Sequence, residues 1–416
     1  MLNHFDATLI PAHGGYSSVA ERLSVAQDVE GSIPSSRPIC NPHSQSTALL
    51  CVPETPSVNP SGMRSCEEPA TQLTRPPVSA WLTEFVPHRG LSNPHLQTIV
   101  GNFLPRPALG IQPTAEIVLV DPTDGSRILC HCHWQPTPSQ HRSLLLVHGL
   151  EGSSNSRYIL GLAARAWAAG ANVIRMNMRN CGGTDALTPT LYHSGLSGDV
   201  GAVILHFAQR YNLDRFALVG YSMGGNMVLK LAGEWGSRLP LSAVAAVSPA
   251  ADLSASSDAL HRPINRLYEM HFLRGLVARF HRKAALYPNI YRTLNVGPIR
   301  SIRQFDDKIV AAYCGFRSAE DYYFRASAAR VIDKIAVPTL ILHSADDPFI
   351  RVMPETRAAL LANPAIAFVE TDHGGHCAFL GTAAGEAIHW AESTLIRFLL
   401  AAVPDPISTV EANRGS

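Results

Sequence analysis

Two kinds of hydrophobic pattern alternate along the central part of this chain. One is a short, continuous apolar run of strand length, and the other places apolar residues three or four positions apart, as in an amphipathic helix. Strands of the first kind are predicted at 144–147, 171–176, 216–219, 242–248 and 338–343, and helices at 159–169, 196–211 and 354–361. Continuous apolar strands that alternate with amphipathic helices indicate an α/β fold, in which helices cover both faces of a mostly parallel sheet.

Other patterns flank or interrupt this alternation. Glu116–Val120 and Arg127–Trp134 are predicted to pair as a β-hairpin, because a turn-forming segment separates two strand-like runs. Residues 251–331 are rich in arginine, histidine and aromatic residues, and we expect them to form a helical cap inserted over the sheet. A strand at 365–370 and a last helix at 383–401 follow the cap. Residues 93–99, Asn-Pro-His-Leu-Gln-Thr-Ile, match neither a strand nor a helix pattern.

The two ends of the chain differ from the centre. Residues 1–80 are rich in proline, serine and threonine and have no hydrophobic period, so we expect a disordered N-terminal extension. Parts of this extension look like the translation of a transfer-RNA gene, which makes Met63 an alternative start. The folded domain is expected over 81–403, followed by a flexible tail at 404–416.

Composition narrows the class of protein. The 416 residues are 46% hydrophobic and carry a formal net charge of +1, which favours a globular protein and argues against nucleic acid as a partner. The sequence contains no apolar run of the roughly 18 residues that cross a bilayer and no secretory signal. The eight cysteines form no C-x-x-C motif. We therefore expect free thiols and a cytoplasmic location.

The segment Gly220–Gly224 has the sequence Gly-Tyr-Ser-Met-Gly, which fits the G-x-S-x-G pattern. A strand precedes it and a helix follows it, which is the context that this motif requires. A serine on so sharp a turn projects its hydroxyl above the sheet, and the first N–H groups of the helix point toward that hydroxyl. Ser222 is therefore predicted to be a catalytic nucleophile.

A serine hydroxyl needs a general base, and the base needs an acceptor that orients it. Hydrolases with this strand and helix order supply them in the chain order Ser, Asp or Glu, His. Here Asp347 follows the 338–343 strand and His376 follows the 365–370 strand. Asp346 is the alternative acid, and His373 competes with His376. We favour Asp347 because an apolar residue follows two positions later, and His376 because two glycines precede it.

Two backbone N–H groups are predicted to hold the oxyanion that forms during acyl transfer. One belongs to Met223, directly after the serine, and the other to Leu150, in the loop after the 144–147 strand. His131 and His133 share one face of a strand, but a zinc site would need a further ligand, so we interpret them as ordinary strand residues. We expect no metal and no cofactor.

With these residues in view, the chain resembles the YheT-like branch of the α/β-hydrolase superfamily over about residues 81–402. The matching stretches are 93–99, 148–152, 177–183, 220–225, 316–327, 345–349 and 374–376. The resemblance implies an α/β-hydrolase fold and a carboxylesterase activity. It also implies relatives that act on medium-chain acyl esters or phospholipids, or that transfer acyl groups to alcohols.

The sequence therefore predicts a serine carboxylesterase that acts on a small acyl ester of short or medium chain length. An acyltransferase with an alcohol acceptor would use the same three residues, and the two differ in how well water is excluded from the acyl-enzyme. The third hypothesis is a homologue that binds a ligand but does not catalyse a reaction. The natural substrate and the oligomeric state are not predicted from the sequence.

Overall fold

The computed structural model describes residues 75–291, 297–381 and 388–403. Its centre is an eight-stranded sheet in the order β1-β2-β4-β3-β5-β6-β7-β8. The strands are β1 (Thr114–Asp121), β2 (Ser126–His133), β3 (Ser143–Val147), β4 (Asn172–Met176), β5 (Phe216–Tyr221), β6 (Leu241–Val247), β7 (Thr339–Ser344) and β8 (Ile366–Thr371). The β1–β2 and β2–β4 pairs are antiparallel, and the other pairs are parallel. The predicted hairpin and mostly parallel sheet are confirmed.

Helices cover both faces of this sheet. They are α1 (Pro94–Phe103), α2 (Arg157–Ala168), α3 (Ser197–Tyr211), α4 (Met223–Trp235), α5 (Leu253–Leu260), α6 (Arg266–Leu286), α7 (Ile302–Phe305), α8 (Ala312–Cys314), α9 (Ala319–Ala326), α10 (Pro354–Ala362) and α11 (Trp390–Ala402). Successive residues of β5 show the two-sided burial, since Leu218 belongs to the core with α3 and α4, and Val219 to the core with α2 and α11. This burial on both faces explains the continuous apolar runs.

The parallel register brings the carboxyl ends of the strands to one edge of the sheet. Val147 at the end of β3 lies beside Gly220 near the end of β5, and Val247 of β6 pairs with Leu342 of β7. Segments that leave these strands therefore meet above one edge. The candidate residues are placed accordingly, with Leu150 after β3, Ser222 after β5, Asp347 after β7 and His376 after β8.

The helical cap lies between β6 and β7. It contains α5 to α9 and a π-helical turn at Asp306–Ala311. A cap helix is 21 residues long, but no helix in the described ranges is both long and apolar enough to cross a membrane.

Two predictions about elements need correction. The last helix begins at Trp390, because His389 directly before it bridges to Leu380, and the predicted start at 383 lies outside the described residues. The 93–99 segment, for which no element was predicted, forms most of α1. Asn93 caps this helix by accepting a hydrogen bond from the Leu96 N–H at 3.1 Å, and Pro94 occupies its first position. Both are known start signals of a helix.

The predicted N-terminal disorder falls mostly on residues 1–74, which lie outside the described residues, and the predicted tail at 404–416 lies outside them as well. Residues 75–80 are described, and they correct the boundary that was predicted at residue 80. Val78–Ala80 forms a 3₁₀ turn, and Arg75 Nη1 donates to the Ile366 carbonyl at 2.6 Å. The next residue, Trp81, is 1% exposed and packs edge-on against Phe398, which holds this segment on the domain.

Candidate active site

Ser222 occupies the turn between β5 and α4. Its backbone has φ 53° and ψ −115°, a conformation that non-glycine residues rarely adopt. Hydrogen bonds hold it there, because its N–H donates to the Val247 carbonyl at 2.9 Å and its carbonyl accepts from the Asn226 N–H at 3.1 Å. The side chain is therefore fixed at the top of the sheet, where the motif predicted it.

Glycines permit this turn because backbone segments approach each other closely. A Cβ atom on Gly220 would lie 2.2 Å from the Gly224 carbonyl oxygen, and one on Gly224 would lie 2.4 Å from the His148 carbonyl oxygen. Neither distance is compatible with a side chain. The two glycines of the motif are thus required by the contact of β5 with α4 and of α4 with the loop after β3.

His376 is paired with Asp347. Asp347 Oδ2 lies 2.8 Å from His376 Nδ1, and Oδ1 accepts from the N–H groups of Phe349 and Ile350 at 3.1 and 2.9 Å. The carboxylate is 2% exposed, and the Phe349 ring lies 4.3 Å from the imidazole, centroid to centroid. Asp347 therefore orients the imidazole and leaves Nε2 available on the other side of the ring.

Asp346 and His373 form a second pair beside Asp347 and His376. Asp346 accepts from Ser344 Oγ and from the Gly375 N–H, the latter at 2.9 Å, and its Oδ2 lies 3.2 Å from His373 Nδ1. The carboxyl groups of the two adjacent aspartates thus point to different histidines. Asp346 and His373 stabilise the loop that carries His376, and they do not contact its ring.

Helix α1 holds the histidine loop, which the sequence analysis missed. The buried Gln97 donates to the Leu380 carbonyl at 3.1 Å and accepts from the Leu380 N–H at 2.8 Å. Thr98 Oγ1 accepts from the His376 N–H at 2.9 Å. The Asn93–Pro94 start signal could have shown that the 93–99 segment is a helix, but nothing in its local pattern indicates these contacts.

The loop after β3 carries Leu150, one of the two predicted oxyanion donors. Tyr158 Oη accepts from the Gly149 N–H at 2.9 Å, whereas the Leu150 N–H donates to no acceptor among the described residues. Met223 is the first residue of α4, where an N–H has no partner within the helix. These two N–H groups are the predicted oxyanion donors.

His148 supports this loop as a neutral ring. Burial lowers its pKa to about 4, Nε2 accepts from the Met178 N–H at 3.1 Å, and Nδ1 lies 2.8 Å from the Gly149 carbonyl oxygen. The proton is therefore on Nδ1, and the ring connects the loop to the segment after β4.

Glu151 links the same loop to the cap. Its two carboxylate oxygens accept from Nε and Nη2 of Arg279 on α6, each at 3.1 Å, and Oε1 also accepts from Tyr192 Oη at 2.6 Å. Arg279 in turn donates to the Asn180 carbonyl. The ion pair is mostly buried, so truncation of either partner would leave an uncompensated charge beside the candidate oxyanion donors.

Ser222 and His376 line one groove of about 650 Å³ together with α1 and the Glu151 loop. Among the described residues Ser222 Oγ makes no hydrogen bond to the imidazole. His376 Nε2 lies 3.6 Å from Cys377 Sγ, and the Cys377 N–H donates to Ser248 Oγ at 3.1 Å. Catalytic hydrogen bonds are often long or absent before substrate binds.

The charges around the imidazole affect its protonation. Burial by itself lowers the pKa of His376, but the negative charges that Cys377 and Asp347 can carry outweigh it and raise the pKa to about 10. Burial likewise opposes ionisation of Asp347, but the hydrogen-bonded His376 and the Ile350 N–H hold its pKa below the usual value. The Asp347 carboxylate therefore stabilises the protonated form of the imidazole.

A second cavity meets the groove at Ser222. Its volume is about 110 Å³, and its lining is mostly apolar, with Leu150 and Met223 near the serine and Phe272, Leu276 and Val310 from the cap. The serine thus stands between a mostly apolar cavity beneath the cap and a larger, more polar groove. This arrangement suits an acyl group on one side and an alcohol on the other.

The histidine pair on β2 contacts protein groups. His131 Nδ1 lies 2.7 Å from Ser154 Oγ, and His133 Nε2 lies 3.3 Å from Nη2 of the buried Arg175 on β4. Within the described residues, no three histidine, cysteine, aspartate or glutamate side chains are grouped to hold a metal ion.

The sequence is also similar to proteins that are already known. A family model described as the alpha/beta hydrolase fold matches residues 142–382. The chain belongs to the α/β-hydrolase family. YheT of Escherichia coli (strain K12), whose name describes it provisionally as an esterase, is 35% identical over 320 residues, which are 75% of this chain and 92% of YheT. The resemblance to the YheT-like branch is confirmed.

Other relatives match over shorter regions. Phospholipase ABHD3 of Mus musculus is 32% identical over 243 residues, 58% of this α/β-hydrolase chain and 59% of that protein. Medium-chain fatty acid ethyl ester synthase/esterase 2 of Saccharomyces cerevisiae (strain ATCC 204508 / S288c) is 27% identical, with 61% of each chain covered. The match spans less than two thirds of either relative. The solved esterase Pf2001 of Pyrococcus furiosus aligns at 14% identity with a TM-score of 0.46, covering 71% of this chain and 97% of that one.

The different positions of the two aspartates predict different effects of amide substitution. Asp347→Asn should lower kcat by about 10⁴-fold, because an amide does not stabilise the required tautomer and charge of the imidazole. Asp346→Asn is the matched control and should cost less than about 10-fold, since an amide oxygen can still accept from the Gly375 N–H. Steady-state hydrolysis of p-nitrophenyl acetate, with melting temperatures for both variants, measures this. Equal losses would contradict the assignment of Asp347.

The raised pKa of His376 predicts the pH dependence of activity. Only the neutral imidazole can accept a proton, so kcat/KM should rise with pH along a limb centred above the ordinary histidine value of about 6.5. Cys377→Ala removes one source of negative charge, so the limb should move to lower pH, whereas Cys314→Ala in the cap should not move it. A wild-type limb at or below about 6.5, or one unchanged in Cys377→Ala, would contradict this interpretation of the site.

Proposed function

We propose that this chain is a serine carboxylic-ester hydrolase that works through an acyl-enzyme on Ser222. The observation that carries the proposal is that Ser222, on its strained turn, lines the same groove as an imidazole already oriented by Asp347. Nε2 of that imidazole lies 3.6 Å from Cys377 Sγ, and we expect it to accept the Ser222 Oγ proton once substrate is bound.

The reaction then proceeds in two halves. His376 takes the proton of Ser222 Oγ as the oxygen attacks the ester carbonyl carbon, and the N–H groups of Leu150 and Met223 stabilise the oxyanion. The C–O bond to the alcohol breaks, and His376 gives its proton to the leaving oxygen. Water, deprotonated by His376, attacks the acyl carbon, the bond from that carbon to Ser222 Oγ breaks, and His376 returns the proton to Oγ as the carboxylic acid leaves.

The mostly apolar cavity favours an acyl group of short or medium length, because its lining offers mainly hydrophobic contact. The names of two relatives, a phospholipase and a medium-chain ethyl ester synthase/esterase, agree with acyl esters as the substrate class.

Acyl transfer to an alcohol is the second candidate function. The groove of about 650 Å³ beside Ser222 supports it, since an alcohol there could compete with water for the acyl-enzyme.

Hydrolysis of p-nitrophenyl esters of graded chain length tests the proposal. Ser222→Ala should lower kcat by at least about 10⁴-fold, because the nucleophile is lost. Ser393→Ala, on α11 away from the groove, is the matched control and should retain full activity. Ethyl ester product with added ethanol, detected by mass spectrometry, would favour acyl transfer over hydrolysis. Folded wild-type protein without turnover, or Ser222→Ala with wild-type turnover, would refute the proposal.

A further inference from the structure

The cavity beneath the cap has one carboxyl group in its lining. Asp306 is 8% exposed and begins the π-helical turn Asp306–Ala311 between α7 and α8. A π-helical turn is rare and is often found at functional sites. The neighbours of Asp306 in the cavity wall, Phe305 and Val310, are apolar.

This carboxyl group is only partly satisfied by the protein. Tyr323 Oη donates to Oδ2 at 2.7 Å, and that hydroxyl lies 3.1 Å from Ser257 Oγ. Within the described residues, Oδ1 has no hydrogen-bonding partner. Ser257 and Tyr323 line the same cavity, so the three side chains form a polar patch in a mostly apolar wall.

A purely structural role explains part of this arrangement. The bond from Tyr323 ties the π-helical turn to α9 and would stabilise the cap. It needs only one carboxyl oxygen, and it leaves Oδ1 without a hydrogen-bonding partner among the described residues in the lining of the cavity. Burial also raises the pKa of Asp306 to about 7, against the opposing effects of Tyr323 and Arg303. A ligand hydroxyl that donates to Oδ1 would supply the partner that the described residues do not.

We propose that Asp306, supported by Tyr323 and Ser257, binds a hydroxyl group on the acyl chain of the substrate. The preferred acyl donors are then esters of hydroxylated fatty acids, whose hydroxyl donates to Asp306 Oδ1 while the alkyl chain contacts the apolar wall. This inference rests on the proposed esterase function and specifies its substrate class. A cavity that hydrogen-bonds a substrate hydroxyl discriminates strongly against the analogue that lacks it, because its own polar group is then left unpaired.

Paired substrates test the inference. The probes are p-nitrophenyl esters of straight-chain acids of graded length, each with and without a hydroxyl on its last carbon. At the length that places the hydroxyl at Asp306, kcat/KM should be at least about 10-fold higher for the hydroxylated ester than for its plain counterpart. At other lengths this ratio should be smaller, because the hydroxyl misses the carboxyl group.

Substitutions at Asp306 test whether its carboxyl group causes the preference for the hydroxylated ester. Asp306→Leu should reverse the ratio by lowering the rate of the hydroxylated ester and sparing the plain one, and Asp306→Asn should reduce it if the leucine variant does not fold. Asp307→Asn is the matched control, because Asp307 is exposed and accepts a hydrogen bond from the Ala319 N–H at 3.0 Å. It should leave the ratio unchanged.

Two results would overturn the inference. One is a wild-type ratio at or below one at every chain length, and the other is a ratio that the Asp306 variants do not change. Either would leave hydrolysis of the plain esters intact and so would not affect the proposed function. Absence of turnover on every ester would instead refute the proposed function itself.

Discussion

The turn between β5 and α4 is the constraint on which the rest of the site depends. It places Ser222 in a backbone conformation that costs of the order of 1–3 kcal/mol, and such a conformation persists only when the surroundings enforce it. The close approach of Gly220 to Gly224 and the bond from the Ser222 N–H to β6 provide that enforcement. Burial of the sheet on both faces stabilises the domain, and this stabilisation offsets the cost of the strained turn.

The other parts of the site are held by contacts that reach across the chain. Gln97 and Thr98 on α1 bond to the loop that carries His376, and Glu151 in the loop after β3 pairs with Arg279 on the cap. Asn226 on α4 bonds through its amide to the segment that ends the cap, including the Ala326 carbonyl at 2.8 Å. The turn at Ser222, the loop that carries His376 and the loop after β3 are therefore each supported by an element outside the sheet.

The local sequence pattern is sufficient to predict the strands of the sheet and the chain order of the candidate site residues. Continuous apolar runs predict β3 to β7 because those strands are buried on both faces, and the G-x-S-x-G spacing predicts the turn because its glycines must be small. The residues after the two aspartates favour Asp347 as the predicted acid, and in the structure Asp347 is the one that contacts His376. Its second oxygen accepts from the Phe349 and Ile350 N–H groups, which turns the first toward His376.

The missed features depend on distant partners. Gln97 bonds to a residue 283 positions away, and Arg279 to one 128 positions away, so no periodicity near either residue can show the contact. Cys377, whose Sγ lies 3.6 Å from His376 Nε2, has a left-handed backbone with φ 61°, and its residue type does not predict this conformation.

The central claim is that the Ser222 hydroxyl is the nucleophile that His376 activates. Fluorophosphonate labelling followed by peptide mass spectrometry tests it most directly, because the probe reacts with activated serines and marks the residue that attacks. We predict one adduct on the peptide that contains Ser222, at a rate that falls sharply when His376 is replaced by alanine. An adduct on another residue, or labelling of Ser222 at the same rate without the imidazole, would contradict the account.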